Sequence, residues 1–267
     1  MTIDPAIRTR IDTMLDDIER RENIRYLFAI ESGSRAWGFP SPDSDYDVRF
    51  VYVRPVDWYL SLEPGRDVIE EPVDAVMDAN GWDLRKALGL LLKPNPVLLE
   101  WLQSPVRYRW NAPACDALTE LAERVAHGPT CLHHYHHLGR KQWNKHIADR
   151  ETVNLKRYFY VARPAMVIRW MRLHPDAIPP MDFAALRDGS DLPPALSAEL
   201  DRLIVIKSRA SESGDGARIA SLDDFVLEEL AWAARATRSI PKPGDDLRAE
   251  ANAIFRAIVH GHGPHTI

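Results

Sequence analysis

Cysteine is scarce here, with only Cys115 and Cys131 in 267 residues. That argues against a disulfide framework and suits a reducing compartment. No apolar run is long enough to span a bilayer, and the polar, acidic N-terminal stretch lacks a signal-type apolar core. The expectation is a cytoplasmic protein without a membrane partner. Basic charge is not in excess either: 34 Lys and Arg stand against 39 Asp and Glu, a formal net charge of −5. A global basic field of the kind that coats nucleic acid is thereby excluded, and only a local basic face remains open to that role. Internal repeats and low-complexity tracts are also missing, which removes solenoid and fibrous architectures. What remains is globular: 45% hydrophobic and 27% charged residues, enough chain for one large or two modest domains.

The informative stretch is residues 31–53, ESGSRAWGFPSPDSDYDVRFVYV. An apolar run at residues 24–30 reads as a strand that delivers Gly33-Ser34, where a short helical stretch begins. Asp45 and Asp47 open a second strand that continues apolar through Val53. Side chains alternate along a strand, so Asp45 and Asp47 project to the same side. Two carboxylates that close raise each other's proton affinity unless a cation sits between them, and a hard divalent ion such as Mg²⁺ is the natural occupant. The backbone N–H groups of a Gly-Ser turn offer an anion nest beside it. A phosphate nest next to a dicarboxylate site describes a nucleoside triphosphate site. A plain surface turn uses the same residue types, but here a strand leads straight out of the acidic pair.

Around this stretch the chain reads in order. Asp4-Pro5 starts a helix, with Ile7, Ile11, Met14, Leu15 and Ile18 at helical spacing. Residues 73–80 can form a strand beside the first pair, on which Asp74 and Asp78 share a face. Solvent-facing acids on an edge strand would look the same. Residues 82–93 form an amphipathic helix, and Asn95 caps a second one over 97–103. Ser104-Pro105 and the polar residues to Ala112 mark the best boundary, so domains are expected at 1–108 and 109–267. The second reads as helical, over 113–126, 129–148, 153–173, 194–207, 222–237 and 245–260, with a loop at 209–220.

Gly-Ser, ten intervening residues and Asp-Tyr-Asp-Val resembles the signature of the DNA polymerase β-like nucleotidyltransferase superfamily. Gly-Ser-Arg-Ala-Trp-Gly with Ser-Asp-Tyr-Asp-Val-Arg is similar to the narrower RNA repair pathway polymerase-β family of bacteria and phages. The similarity continues through GWDLRKAL from Gly81, NPVLLEWL from Asn95 and KRYFYVARP from Lys156, to about residue 186. The resemblance implies an α/β (α+β) nucleotidyltransferase domain with a short mixed sheet, followed by a helical domain. It implies transfer of a nucleoside monophosphate from an NTP to an acceptor hydroxyl, with an RNA end as acceptor. Asp45 and Asp47 would hold Mg²⁺, or Mn²⁺ in its place. The third acid of such enzymes lies on a neighbouring strand, and is assigned to Asp78. Gly33 and Ser34 would cradle the β- and γ-phosphates, with Arg35 neutralising charge or pairing with a strand carboxylate. Glu100 would support the fold near the site.

Lys156, Tyr160 and Arg163 fall at i, i+4 and i+7 on one helix, with Arg140, Lys141 and Lys145 on the helix before. They would form a basic, partly aromatic wall for triphosphate or an RNA end, with Tyr160 or Tyr158 stacking on a base. A solvated charged face over buried tyrosines would give the same pattern. His133, His134, His136 and His137 surround Tyr135. A one-turn His133–His137 spacing suits zinc, but no acidic partner is nearby, and exposed histidines are the better reading. Two other functions compete: the same chemistry on a small-molecule or protein hydroxyl, and a silent nucleotide-binding module. The intact Gly33-Ser34, Asp45 and Asp47 oppose the second.

Overall fold

The computed structural model describes residues 3–63, 65–72, 76–93, 95–125, 127–209, 214–236 and 244–261. In chain order these form α1 (Pro5–Glu22), β1 (Arg25–Glu31), α2 (Gly33–Ala36), β2 (Tyr46–Val53), α3 (Val56–Tyr59), β3 (Val68–Glu70), β4 (Met77–Asp83), α4 (Leu84–Leu91), α5 (Pro96–Leu102), β5 (Arg107–Trp110), α6 (Ala112–Arg124) and α7 (Gly128–His146). There follow β6 (Thr152–Asn154), a 3-10 turn (Leu155–Arg157), α8 (Tyr158–Leu173), α9 (Phe183–Asp188), α10 (Pro194–Arg209), β7 (Asp215–Ala217), α11 (Ala220–Ala236) and α12 (Asp245–Val259). The chain divides into two compact units, one of Met1–Ala36, Asp45–Ala126 and Lys242–Ile267, the other of Trp37–Ser44 and His127–Pro241. Position 108 lies inside β5 of the first unit. Among the described residues no helix is long and apolar enough to cross a membrane.

The first unit is built on a five-stranded sheet in the order β3-β4-β2-β1-β5. It is mixed, because β2 and β4 run parallel while the other pairs are antiparallel. On one face, Ala29, Val48, Phe50 and Tyr52 pack with Ile11, Leu15 and Ile18 of α1. These three α1 side chains are fully buried, each worth roughly 2 kcal/mol. Asp4 starts α1 by accepting from the N–H groups of Ala6 and Ile7 at 2.9 and 3.2 Å. Phe50 stands opposite Gly81 in the β2–β4 register, and a Cβ on Gly81 would lie 2.1 Å from the Phe50 ring. Only glycine leaves room for that ring, so Gly81 sets how closely the two strands approach.

The opposite face carries Asp47, Arg49, Val51 and Val53 of β2 beside Asp78, Asn80 and Trp82 of β4. Trp82 stacks on Trp101 of α5 at 4.0 Å, closing one end of that face. At the other end Asp47, Arg49 and Asp78 are only half-buried. Two expectations shift. The helix placed at 82–93 starts later, because Trp82 and Asp83 finish β4 and Asp83 caps α4 by accepting from Arg85 N–H at 2.8 Å. The polar stretch after Ser104 is not a linker: it contains β5, which pairs with β1.

In the second unit α7, α8 and α11 pack together, but helices do not fill it. β6 and β7 form a two-stranded antiparallel ribbon where a helix start and a loop were expected. Fully buried Glu229 accepts from Arg169 at 3.3 Å and Arg172 at 2.8 Å. The segment Trp37–Ser44 belongs to this unit through Phe39, whose ring stacks on Phe159 at 4.6 Å and meets Phe183 edge-on at 5.0 Å.

Candidate active site

Strand β1 ends in Glu31, and the chain turns at once through Ser32 and Gly33. Ser32 N–H donates to the Asp47 carbonyl at 2.8 Å, fastening the turn to the start of β2. Gly33 has φ +60°, and a Cβ there would lie 2.0 Å from Asp47 Oδ2. Glycine is therefore required twice, for its left-handed backbone and for the carboxylate against its Cα. Arg35 lies over the Tyr46 ring at 3.7 Å and donates from Nε to the Asp45 carbonyl at 3.3 Å. Asp45 is exposed, just before β2 begins, and Ser34 is half-buried in the turn.

Asp47 and Asp78 are register partners across the parallel β2–β4 pair, so they share a face. Arg49, two residues along the same strand, reaches both. Its Nη2 donates to Asp47 Oδ1 at 3.0 Å and to Asp78 Oδ2 at 2.7 Å, while Nη1 donates to the Asp78 carbonyl at 2.7 Å. Burial raises the Asp47 pKa, opposed by the Arg49 guanidinium and reinforced by Asp78 and Asp45. The structure thus brings Asp47, Asp78 and the Gly33 turn together, with Asp45 beside them in the chain. Asp74 lies outside the described residues.

Two carboxylates converging on one cationic group are hard oxygen donors of the kind Mg²⁺ and Mn²⁺ take. Among the described residues no three His, Cys, Asp or Glu side chains are grouped to hold a metal. Mg²⁺ commonly binds one or two carboxylates and completes its shell with water and substrate phosphate, so the donors present fit such an ion.

Sequence reasoning passed over two residues of this site. Arg49 shares the alternation of Asp45 and Asp47, and a basic residue at that spacing was the available signal. Glu31, fully buried, accepts from Asp47 N–H at 3.0 Å through Oε1 and from the Tyr108 hydroxyl through Oε2. Burial pushes its carboxyl up to about 7, against the pull of those two hydrogen bonds. A carboxylate closing an apolar strand directly before Gly-Ser was its signal.

In the second unit the expected binding residues separate. Lys156 sits in the 3-10 turn, with Nζ 3.3 and 3.4 Å from the oxygens of Asp43. Tyr160 is exposed, beside Arg157 and His146. Arg163 is buried, over Trp37 at 4.5 Å, and donates to the Met181 carbonyl at 3.3 Å. Tyr158 is also buried, its hydroxyl donating to Asp223 at 3.0 Å and accepting from Ile219 N–H at 2.9 Å. The His133 and His137 rings lie 4.3 Å apart, and burial and neighbouring charges lower the pKa of His136.

The family described as the RNA repair pathway DNA polymerase beta family matches residues 7–257. A Bacillus subtilis (strain 168) protein, described as uncharacterized protein YcgL, is 39% identical over 249 residues, covering 93% of this chain and 95% of that one. With a match of that extent lying over the Gly33 turn and the Asp47–Asp78 pair, the chain belongs to the RNA repair pathway DNA polymerase beta family.

Proposed function

We propose that the chain transfers a nucleoside monophosphate from an NTP to an acceptor hydroxyl, and that the acceptor is an RNA end. One observation carries this reading: the Asp47 and Asp78 carboxylates converge on a single cationic group, with Asp47 pressed against the Gly33 turn. Asp47 and Asp78, with Asp45, would hold Mg²⁺, or Mn²⁺ in its place. When bound, such an ion neutralises triphosphate charge and activates the acceptor oxygen.

The chain's own share is positional. Gly33 and Ser34 offer backbone N–H groups and a hydroxyl to the β- and γ-phosphates, and Arg35 brings a cation to the same turn. Asp78 accepts the acceptor's proton as that oxygen bonds to the α-phosphorus. The bond from the α-phosphorus to its bridging oxygen breaks, and pyrophosphate leaves. Arg49 must give up at least one of its two carboxylates for this arrangement to load. Lys156 and Tyr160 remain candidates for phosphate and base contacts, whereas Arg163 is assigned to packing. The lack of a membrane-crossing helix among the described residues and the two free thiols suit a cytoplasmic enzyme.

The test is incubation with Mg²⁺ and each α-³²P-labelled NTP, with and without RNA, beside an Asp45→Ala/Asp47→Ala chain. Label entering RNA with the unmodified chain alone is the expected result. Aspartate-dependent label on protein or a small molecule would change the acceptor. No transfer to any acceptor would overturn the reading.

A further inference from the structure

The face of β4 that presents Asp78 goes on with Asn80 and then Trp82, both half-buried. Asn80 stands opposite Arg49 in the parallel register and opposite Glu70 in the antiparallel one. Neither neighbour engages its amide. Arg49 is turned to the carboxylates of Asp47 and Asp78, and Glu70 is paired with Arg66. Among the described residues the Asn80 side chain makes no hydrogen bond. Asparagine is a poor strand former, and this one leaves two donors and an acceptor open two positions from a catalytic acid.

The sheet order gives the two substrates separate sides. The Gly33 turn follows β1 and presses on Asp47 of β2, whereas β4 lies beyond β2 from β1. A triphosphate on the turn thus meets the acids from the β1 side, and an acceptor held at Asp78 lies along β4. The row past Asp78 is an amide and an indole with Glu70 beside it, which suits a sugar and a base rather than phosphates. We propose that Asn80 is a specificity-determining residue that hydrogen-bonds the hydroxyl next to the attacking one, so that the acceptor must end in a sugar with vicinal hydroxyls. This inference rests on the transfer reading and deepens it by naming what the acceptor end carries. Same-face positions on a strand lie about 6.6 Å apart. Two hydroxyls on adjacent carbons, with a hydrogen bond of about 2.8 Å at each end, close that span. Asp78 takes the proton of the attacking hydroxyl, while the Asn80 amide donates to or accepts from its neighbour. An acceptor lacking the second hydroxyl covers the amide without pairing it, which is how such a site rejects deoxyribose.

The test compares an oligoribonucleotide carrying a 5′-fluorescein with a twin whose terminal nucleotide is 2′-deoxy. Binding to the full chain is read by anisotropy without NTP, and label transfer to each end is then measured with separate KM values for acceptor and NTP. The unmodified chain should prefer the ribose end about tenfold in both measurements. Asn80→Ala should lose that preference by weakening on the ribose end alone, with KM for NTP and the urea midpoint unchanged. Asn80→Thr, a better strand former that keeps a hydroxyl, should recover part of it. The proposal falls if the unmodified chain binds neither end or shows no preference, if the preference survives in Asn80→Ala, or if that variant raises KM for NTP instead. Equal transfer to both ends strikes this inference and leaves the transfer reading standing. An Asn80-dependent binding preference without any transfer does the reverse.

Discussion

Replacing Gly33 by alanine puts a methyl group where the Asp47 carboxylate already lies, on a backbone at φ +60°. Either the turn opens or Asp47 is pushed off the β2 face. The expected loss is about 1–3 kcal/mol of stability together with most nucleotidyl transfer, read by thermal unfolding and by label transfer. Arg49 should behave in the opposite sense toward metal. Its guanidinium holds the oxygens of Asp47 and Asp78 that a divalent ion would use, so Arg49→Gln removes a competitor. Mn²⁺ binding followed by electron paramagnetic resonance should tighten roughly tenfold in Arg49→Gln, about 1.4 kcal/mol. Weaker Mn²⁺ binding would instead make Arg49 a support for the acids. At this scale the Gly-Ser turn and the Asp45–Asp47 alternation were legible, because each is local. The Arg49 bridge was not: it needs Asp78, which comes 29 positions later and is placed only by the parallel pairing.

Among the elements, β5 is the instructive failure of sequence reading. Arg107, Tyr108, Arg109 and Trp110 read as a polar link, yet each finds a partner inside the first unit. Arg107 lies over Trp110 at 3.6 Å, Arg109 pairs with Asp12 and Asp16 of α1, and Tyr108 reaches Glu31. The partners of Tyr108 and Arg109 are 77 to 97 positions away, which no local period reveals. Strands β1 and β2 were readable because β1 carries the apolar run Tyr26–Ile30 and β2 continues from its acidic start into the apolar Phe50–Val53. The start of α4 was misjudged because Asp83 both ends a strand and caps a helix. The Glu31–Tyr108 contact yields a prediction for this scale. Tyr108→Phe leaves a buried carboxylate without its hydroxyl donor and should cost about 1–3 kcal/mol in urea unfolding. In the Glu31→Gln background the same change should cost less, and the double-mutant cycle measures the coupling. Equal losses in both backgrounds would mean that the hydroxyl serves packing alone.

For the molecule as a whole, the acid–base behaviour of Lys207 supplies a test of stability that requires no ligand. Composition told of a globular core and a modest acidic charge, but a buried lysine at residue 207 was invisible to it, since 194–207 reads only as one more helix. Its surroundings come from two other places in the chain: Phe39 and Asp43 on the Trp37–Ser44 segment, and Lys156 and Phe159 where the 3-10 turn runs into α8. The ordinary lysine pKa of 10.5 is lowered in the folded chain to about 8. Below about 8 both states carry the proton, and the folded state bears the full cost of a buried charge. Between about 8 and 10.5 the unfolded chain still binds the proton while the folded chain has released it. Over that window the contribution of Lys207 to folding stability must therefore rise with pH. Lys207→Met deletes both the cost and the slope. At pH 7 it should stabilise the chain by about 1–3 kcal/mol, and between pH 8 and 10 the gap between variant and unmodified chain should close. Unfolding midpoints in urea at pH 7, 8, 9 and 10 measure this directly. A Lys207→Met chain that is less stable at pH 7, with a gap that does not change with pH, would show that the ammonium is already satisfied in the folded protein.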